Sequence, residues 1–546
     1  MKAAQWIIDY LRQGGLDYVF GIPAGSVNAL FDKMYEHDEI TPVVTKHEGA
    51  AGYMASAYAK RSGNLGVCIG SSGPGATNLL SGAANAMREQ TPVLFITGSV
   101  PTSTVGLNAS QELDVVPMFT PVTKYSRRVE SIHEVREVFK EAVCKAFAGI
   151  PGPVHVAVPI NIQLSMLEGS TELPEYPAKR RLSPVESNVA EATRILSSNR
   201  QGIIFLGQGA RDALPGVMNL VDYLDWPVVT TPQAKGLVPS DHPNACGVYG
   251  FAGHETATEV MENSDHSIVF VIGSSLGETA TNNWNPALTA DRFVIQLDHD
   301  PTVFDRKYKV DISLLGDVRT TIGEINRRLR LPAENDAGPQ WTGVPPKAVN
   351  EKFETQNVLH QLQSQMPEDT LFTVDIGEFM SYVIHYMDVK KPDTYDINVH
   401  FGAMGSGISN ALGAKLAEPN RFVTSITGDG CFFMHGMEVL TAKEYQLPIL
   451  FIVMNNARLG MVYHGHRLQY GRMHDRFEQS MVPVAAIAEQ MGVKYATVRS
   501  MDDITPELYQ SLCSDNSPAV LEIQLIDEQT PPMGDRVKFL SSFSKS

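Results

Sequence analysis

The sequence predicts an α/β protein built from three doubly wound, parallel-sheet domains. Short apolar runs of four to seven residues, rich in Val and Ile and bounded by Gly or Pro, recur along the 546 residues, as expected for strands buried on both faces of a parallel sheet. The stretches between them carry apolar residues at helical spacing. Two Pro-rich, polar stretches divide the chain into blocks near the roughly 150–200 residues of a typical domain.

Taken in order, Ala4, Ile7, Ile8 and Leu11 open the chain with an amphipathic helical pattern and not a secretory leader. Strands are expected at 18–21, 42–45, 66–70, 92–97 and 153–158 in a first block, residues 1–165. A stretch over 164–186 follows, with Pro174, Pro177 and Pro184 and the triplet Lys179-Arg180-Arg181. It reads as an extended linker with a solvated charge run. The second block, 185–330, offers strands at 202–206, 227–230, 267–272 and 293–298. A second linker over 331–349 holds Pro332, Gly338, Pro339, Gly343, Pro345 and Pro346. The third block, 350–546, offers strands at 371–375, 422–427, 448–454 and 519–525.

Composition bounds the function. With 43% hydrophobic and 19% charged residues the chain can bury large cores. A net charge of −17 argues against a nucleic-acid partner. An acidic protein still holds an anionic cofactor where a metal and helix N-termini supply local positive field. The five cysteines, Cys68, Cys144, Cys246, Cys431 and Cys513, form no C-x-x-C pair and are odd in number, which points to a reducing, cytoplasmic setting. No apolar run reaches membrane-spanning length, so no membrane partner is expected.

The chemistry concentrates in two short motifs. Gly428-Asp429-Gly430 follows one apolar strand and Asn455-Asn456 follows another. Two parallel strands ending side by side present Asp429 and Asn456 to one crevice. A carboxylate and an amide oxygen suit Mg²⁺, which prefers oxygen ligands and shares cofactor phosphates. Alone, Gly-Asp-Gly and Asn-Asn are turn chemistry; their spacing and the strand before each lift the pair above that.

The run from Gly428 to Met461, GDGCFFMHGMEVLTAKEYQLPILFIVMNNARLGM, resembles the thiamine-diphosphate motif of the acetohydroxyacid synthase and pyruvate oxidase family. The resemblance implies Mg²⁺ ligation by the Asp429 carboxylate, the Asn456 side chain and the backbone carbonyl of Arg458. It implies cofactor contacts from Gly428, Gly430, Cys431 and Met461 in the same run, and it names the blocks pyrimidine-binding, central and diphosphate-binding.

In the first block Lys46-His47-Glu48-Gly49-Ala50-Ala51 opens an alanine-rich helix. By itself Glu48 is favourable charge in a first helical turn. By resemblance it hydrogen-bonds N1′ of the cofactor's aminopyrimidine and favours the tautomer whose N4′ removes the C2 proton. The segment 20–25, with Pro23 and Gly25, and the segment 71–78, with Gly73 and Asn78, resemble the loops beside that ring. Gln111 matches a glutamine near bound substrate in the synthases and oxidases, and Ser110 stands where the synthases commonly have Phe.

In the third block Met404 corresponds to an apolar wedge that keeps the cofactor bent; as a residue alone it reads as core filler. Asp375-Ile376-Gly377-Glu378 resembles the loop near the diphosphate, with Gly377 a contact and Glu378-Phe379 in place of the synthases' Gln-His. Beside a diphosphate an acidic residue must point away or pair with a base. Val462 stands where pyruvate decarboxylases place a catalytic glutamate, and Gly465 where acetohydroxyacid synthases place a tryptophan. His464 and His466 either meet an anionic acceptor together with Arg467 or sit in a solvated helix.

In the middle block 207–211 and 273–276 follow strands as the flavin-holding loops of relatives do, yet Ser275-Leu276 replaces their Arg-Phe; FAD stays open. The resemblance implies a carboligase of acetolactate synthase type that decarboxylates pyruvate or a related 2-keto acid and adds the acyl unit to a second carbonyl. An FAD-dependent oxidase and a non-catalytic scaffold are the alternatives, and intact Glu48, Asp429 and Asn456 weigh against the scaffold. It further implies a homodimer or dimer of dimers in which Glu48 and Asp429 of one site come from different subunits.

Overall fold

The computed structural model describes residues 1–36, 39–169, 172–177, 181–198, 201–331 and 350–533. Lys179, Arg180, nearly all of the second linker and the final stretch from 534 onward lie outside the described residues.

Three six-stranded sheets, parallel throughout, follow one another along the chain. The first holds β1 (Tyr18–Gly21), β2 (Thr41–Val44), β3 (Gly66–Gly70), β4 (Val93–Ser99), β5 (Ser126–Arg128) and β6 (Val154–Pro159), in the spatial order β2-β1-β3-β4-β6-β5. The second holds β7 (Gly202–Leu206), β8 (Val228–Thr230), β9 (Ala245–Val248), β10 (Ile268–Ile272), β11 (Phe293–Asp298) and β12 (Ile312–Leu315), in the order β12-β11-β10-β7-β8-β9. The third holds β13 (Leu371–Val374), β14 (Tyr395–Ile397), β15 (Val423–Gly428), β16 (Ile449–Asn455), β17 (Lys494–Val498) and β18 (Ala519–Gln524), in the order β14-β13-β15-β16-β18-β17. Counted from its own first strand, the third sheet repeats the order of the first. The middle sheet instead has the order 3-2-1-4-5-6 of dinucleotide-binding folds.

All thirteen strands expected from the sequence are present. The five additional ones, β5, β9, β12, β14 and β17, each lie at a sheet edge.

One helix pair joins the outer domains. Helix Glu48–Ser62 is buried from Gly49 through Ala59, because it is packed on both sides. On one side Gly52 meets Gly82 of helix Pro74–Arg88 so closely that a Cβ on Gly52 would lie 2.8 Å from the Gly82 Cα. On the other, a Cβ on Gly413 of helix Ser406–Ala417 would lie 2.2 Å from the Met54 carbonyl oxygen. Small residues therefore buy backbone-to-backbone approach, and one hydrophobic core runs unbroken from Phe20 and Phe95 of the first domain to Phe432 and Phe451 of the third.

Candidate active site

In the first sheet the order reverses between β1 and β3, and ligands of such sheets sit outside the strand ends at that switch point. The loops after β1, β2, β3 and β4 converge there. His47 caps the helix that begins at Glu48, its Nδ1 accepting from Gly49 N at 3.0 Å. The Glu48 carboxylate then receives the Asn78 amide at 3.0 Å, and its Oε1 lies close to Gly75, where a Cβ would come within 3.0 Å of it. Gly73 takes φ +64° at the helix start, and Gln111, also left-handed at φ +63°, packs its backbone against that turn. The Ser72 hydroxyl reaches Gln111 Oε1 at 3.4 Å. Ser26 receives Ser72 N at 3.0 Å, which draws the exposed Pro23–Gly25 stretch to the same edge. Glu48, Asn78, Gln111 and Pro23 thus share one strand-end surface, with Ser110 exposed beside Gln111.

The third sheet reverses between β13 and β15, and its loops build a second surface. Asp375, fully enclosed, organises it. Its carboxylate accepts from Ile376 N and Gly405 N, each at 2.9 Å, and from the Thr427 hydroxyl at 3.0 Å, so it ties the Met404-Gly405 loop to the end of β15. Cys431 Sγ donates to the Ile376 carbonyl at 3.0 Å. Met404 Cε approaches Gly430 so closely that a Cβ there would lie 3.2 Å away. Phe379 packs against Gly377 and Gly428, where any Cβ would strike its ring.

Asp429 is 4% exposed. Burial pushes its carboxyl up to about 6, against the backbone N–H groups of Gly430 and Ala457, and the charge of Glu522 adds to the rise. Asn456 turns its Oδ1 to Arg458 N at 3.2 Å and its amide nitrogen to Glu378. Ala457, left-handed at φ 52°, makes the bend that carries the chain from Asn456 to Arg458. The Arg458 guanidinium is spent elsewhere, on Glu528 at 2.8 Å and over the Tyr463 ring at 4.4 Å. These residues fit a dication with a diphosphate. The buried Asp429 carboxylate reaches the N–H of Ala457, next to Asn456, so a carboxylate and an amide oxygen lie on adjoining loops, oxygen donors of the kind Mg²⁺ prefers.

The acidic Glu378 is also accounted for. It lies beneath Asn456, and its Oε2 is 3.3 Å from His464 Nε2. A Cβ on Gly460 would fall 2.1 Å from that oxygen, so any larger residue there would displace the Glu378 carboxylate. Burial raises the Glu378 carboxyl to about 7, opposed by Arg458 and Asn456. Burial, with the charge of Arg458, lowers His464, which is 1% exposed. His464 therefore faces Glu378 inside the domain and does not sit on a solvated helix face. His466 is half-buried; its Nδ1 pairs with the Arg472 carbonyl at 2.9 Å, and its ring packs on Tyr470 and Phe477. Of the residues expected near the acceptor in this helix, Val462, at 51%, and Arg467 open to solvent. Met461 is partly buried beside it.

A pH dependence follows for cation loading. The Asp429 carboxyl must lose its proton to bind a dication, and its folded value, about 6, lies above the ordinary carboxylate range. Protonation thus favours the metal-free fold, whose stability falls as pH rises toward that value. Mg²⁺ affinity should rise with pH through about 6 and weaken about tenfold per unit below it, with a proton released on binding. Titration calorimetry in buffers of different ionisation enthalpy measures both; binding indifferent to pH and buffer would contradict the assignment.

In the middle sheet the switch point lies between β7 and β10. There the loops after the two strands close on each other: a Cβ on Gly207 would lie 2.1 Å from the Gly273 carbonyl oxygen. Arg211, at the end of the first loop, is drawn away to Asp393 at 2.8 Å.

Within one chain, among the described residues, no hydrogen bond or ion pair joins the Glu48–Asn78 surface to Asp429 or Asn456. Sequence reasoning missed Asp375 as an organiser, the His464–Glu378 contact, and Glu438, which holds the loop before Glu48. Short Asp-Ile-Gly and Met-Glu sequences carry no pattern that would single these acids out.

Known proteins resemble this chain along most of its length. Residues 1–118 match the family described as thiamine pyrophosphate enzyme, N-terminal TPP binding domain; residues 189–325 match its central domain and residues 375–523 its C-terminal TPP binding domain. A Methanocaldococcus jannaschii protein named "Probable acetolactate synthase large subunit" is 30% identical over 98% of this chain and 93% of its own length. The acetolactate synthase isozyme 2 large subunit of Escherichia coli is 29% identical over 97% and 96%. A solved structure of a proposed thiamin diphosphate-dependent enzyme from Mycobacterium smegmatis superposes with a TM-score of 0.80 at 21% identity, covering 96% of this chain and 99% of that one, a likeness of fold. With three matched domains in order and a relative aligned nearly end to end, the chain belongs to the thiamine pyrophosphate enzymes, in the family of the acetolactate synthase large subunits.

Proposed function

We propose that the protein is a thiamine-diphosphate-dependent carboligase of acetolactate synthase type, decarboxylating pyruvate or a related 2-keto acid and adding the acyl unit to a second carbonyl compound. The bound cofactor supplies the nucleophilic carbon and the electron sink. Asp429, Asn456 and the Arg458 carbonyl would hold Mg²⁺ on the diphosphate side; Met404 would press on the cofactor from beneath, and Glu48, steadied by Asn78, would meet the pyrimidine ring. Gly428, Gly430, Gly377, Cys431 and Met461 line the diphosphate side. Gly73, Gly25 and Pro23 line the ring side, with Gln111 and Ser110 toward the substrate.

The observation that carries ligation over simple decarboxylation is Val462. It is solvent-exposed at the start of helix Gly460–Tyr470 and has no proton to give. An acyl unit left unprotonated is free to attack a second carbonyl. The experiment is pyruvate turnover by the full chain with thiamine diphosphate and Mg²⁺, with products identified by mass spectrometry before and after acid treatment. Acetolactate, giving acetoin in acid, is expected. Acetaldehyde alone would assign a decarboxylase, and acetate with flavin absorbance an oxidase. A screen of other 2-keto acid donors and of aldehyde and keto-acid acceptors fixes the partners.

A bound FAD is not part of this reading. The two middle-domain loops close on each other, and Arg211 is committed to Asp393. The resemblance to the family supports a homodimer or a dimer of dimers as the working unit, with each site completed across the interface. No helix among the described residues is long and apolar enough to cross a membrane. The five cysteines are all free, in keeping with a cytoplasmic enzyme.

A further inference from the structure

We infer that Glu438 is a positioning residue that holds the backbone carrying Glu48 from the diphosphate-side domain, so that each chain rigidly links its two half-sites. β2 is the edge strand of the first sheet. On its outer side the N–H groups of alternate residues have no neighbouring strand, and a buried edge must find other partners. The third domain provides them. The Tyr445 hydroxyl accepts from Val44 N and donates to the Pro42 carbonyl, both at 2.8 Å. Two residues on, the Glu438 carboxylate takes over. Its Oε1 accepts from Lys46 N at 2.9 Å and from His47 N at 3.1 Å, while its Oε2 accepts from the Thr441 hydroxyl at 2.7 Å. Glu438 is 1% exposed.

The attachment ends where the helix of Glu48 begins. His47, the second residue held by Glu438, is the cap of that helix and immediately precedes Glu48. Glu438 lies in the helix that follows Asp429–His435, so a short, continuous piece of chain connects the proposed cation ligand Asp429 to the residue that sets Glu48. His435 adds a second contact between the same parts. Its ring packs 5.7 Å from the His47 ring and 5.6 Å from the Tyr53 ring, and its Nδ1 faces the Gly405 carbonyl of the Met404 loop at 3.3 Å. Among the described residues no other charged group accepts from the two N–H groups of Lys46 and His47. The Lys46 ammonium is turned outward to Glu444 at 2.5 Å. Burial of a carboxylate is unfavourable unless its hydrogen bonds are met, and Glu438 spends three of its acceptor sites on this one job.

This inference rests on the reading that Glu48 activates the cofactor, so the experiment separates the two. The full chain is compared with Glu48→Gln, Glu438→Ala, Glu438→Gln and Glu438→Asp. Three quantities are read: amide hydrogen exchange of the metal-free protein, affinity for thiamine diphosphate with Mg²⁺, and the rate of C2 hydrogen–deuterium exchange of bound thiamine diphosphate. Glu438→Ala should speed amide exchange around residues 44–50 and leave cofactor affinity within about threefold, because the proposed cation ligands are untouched. It should slow C2 exchange about 10- to 100-fold, as expected for displacement of an aligned group by about 1 Å. Glu438→Gln keeps one oxygen able to accept both N–H groups and should restore most of the rate. Glu438→Asp, one methylene shorter in the same packing, should show the slowing in weaker form, and it serves if the alanine variant does not fold.

Wild-type amide and C2 exchange in folded Glu438→Ala or Glu438→Asp, beside slow C2 exchange in Glu48→Gln, would overturn the positioning role and leave the proposed function standing. Fast C2 exchange in Glu48→Gln would overturn the reading of Glu48 and this inference with it.

Discussion

Glu48→Gln should retain thiamine diphosphate and Mg²⁺ yet lose about 10²- to 10⁴-fold in kcat, the range contributed by one positioned acid–base group. The substitution changes almost nothing in shape. Glu48 begins a helix whose other residues through Ala59 are buried, and it pairs with Asn78 at 3.0 Å. A glutamine can still offer Asn78 its carbonyl oxygen. What it cannot do is carry the negative charge that favours a proton on the pyrimidine nitrogen opposite it. Affinity stays because the cation and diphosphate ligands, Asp429 and Asn456, lie on the other surface. Steady-state rates beside cofactor titration measure the split; unchanged kcat would sink the role given to Glu48. The same variant tests the shared site. Glu48→Gln chains mixed and reassembled with Asp429→Ala chains should recover about a quarter of wild-type activity, since half the random dimers hold one intact site of two. No recovery would place both halves within one chain.

How much of this was legible in the sequence depends on burial. Strands such as Ile268–Ile272 and Ile449–Asn455 are enclosed on both faces, so they read as unbroken apolar runs. Four of the five strands that did not announce themselves are less enclosed edge strands. Ser126–Arg128 is polar, Ile312–Leu315 alternates in burial, and Ala245–Val248 and Lys494–Val498 are mostly half-exposed. The fifth, Tyr395–Ile397, is buried, but it carries Asp396, whose carboxylate is paired with Lys60 of the first domain at 2.5 Å; an acid in a short run hides a strand. The site divides in the same way. Asp429 and Asn456 were readable because each directly follows an apolar strand at fixed spacing. The enclosure of His464 was not legible, because helical position alone does not tell an inward ring from an outward one when the neighbouring residues are Tyr, Gly and His. Arg211 pointed toward a nucleotide loop by its glycines, and only the third dimension brings Asp393, far along the chain, beside it.

That contact sets the second large effect. Asp393→Ala should destabilise the protein by about 3 kcal/mol, toward the lower end of what removing one member of a buried ion pair costs, because the Asp393 side chain keeps 28% of its surface exposed. Asp393 joins all three domains. Arg61 of the first grips it with two nitrogens, at 3.0 and 2.9 Å, and Arg211 of the second approaches to 2.8 Å. Arg421 of the third donates to its backbone carbonyl at 2.7 Å. Burial raises the carboxyl, but the charges of Arg211 and Arg61, with Arg421, outweigh it and hold the group below its ordinary value. Its contribution is therefore present above the ordinary carboxylate range and is lost as pH falls through the depressed value. Removal does not strand the arginines equally. Arg61 keeps Glu418 at 2.6 Å, whereas Arg211 loses its closest carboxylate and stays largely enclosed at the junction. The loss should therefore fall on the attachment of the middle domain. In scanning calorimetry the variant should unfold in separated steps, with the middle-domain transition moved furthest down. Asp393→Asn, which tolerates the left-handed backbone at φ 57° better than alanine does, should behave similarly if charge and not backbone strain is responsible. Arg211→Met combined with Asp393→Asn should cost less than the sum of the two single changes, because no unpaired charge is left behind. Additive costs, or an unaltered single transition, would show that the domains are held by their apolar contacts and not by this cluster.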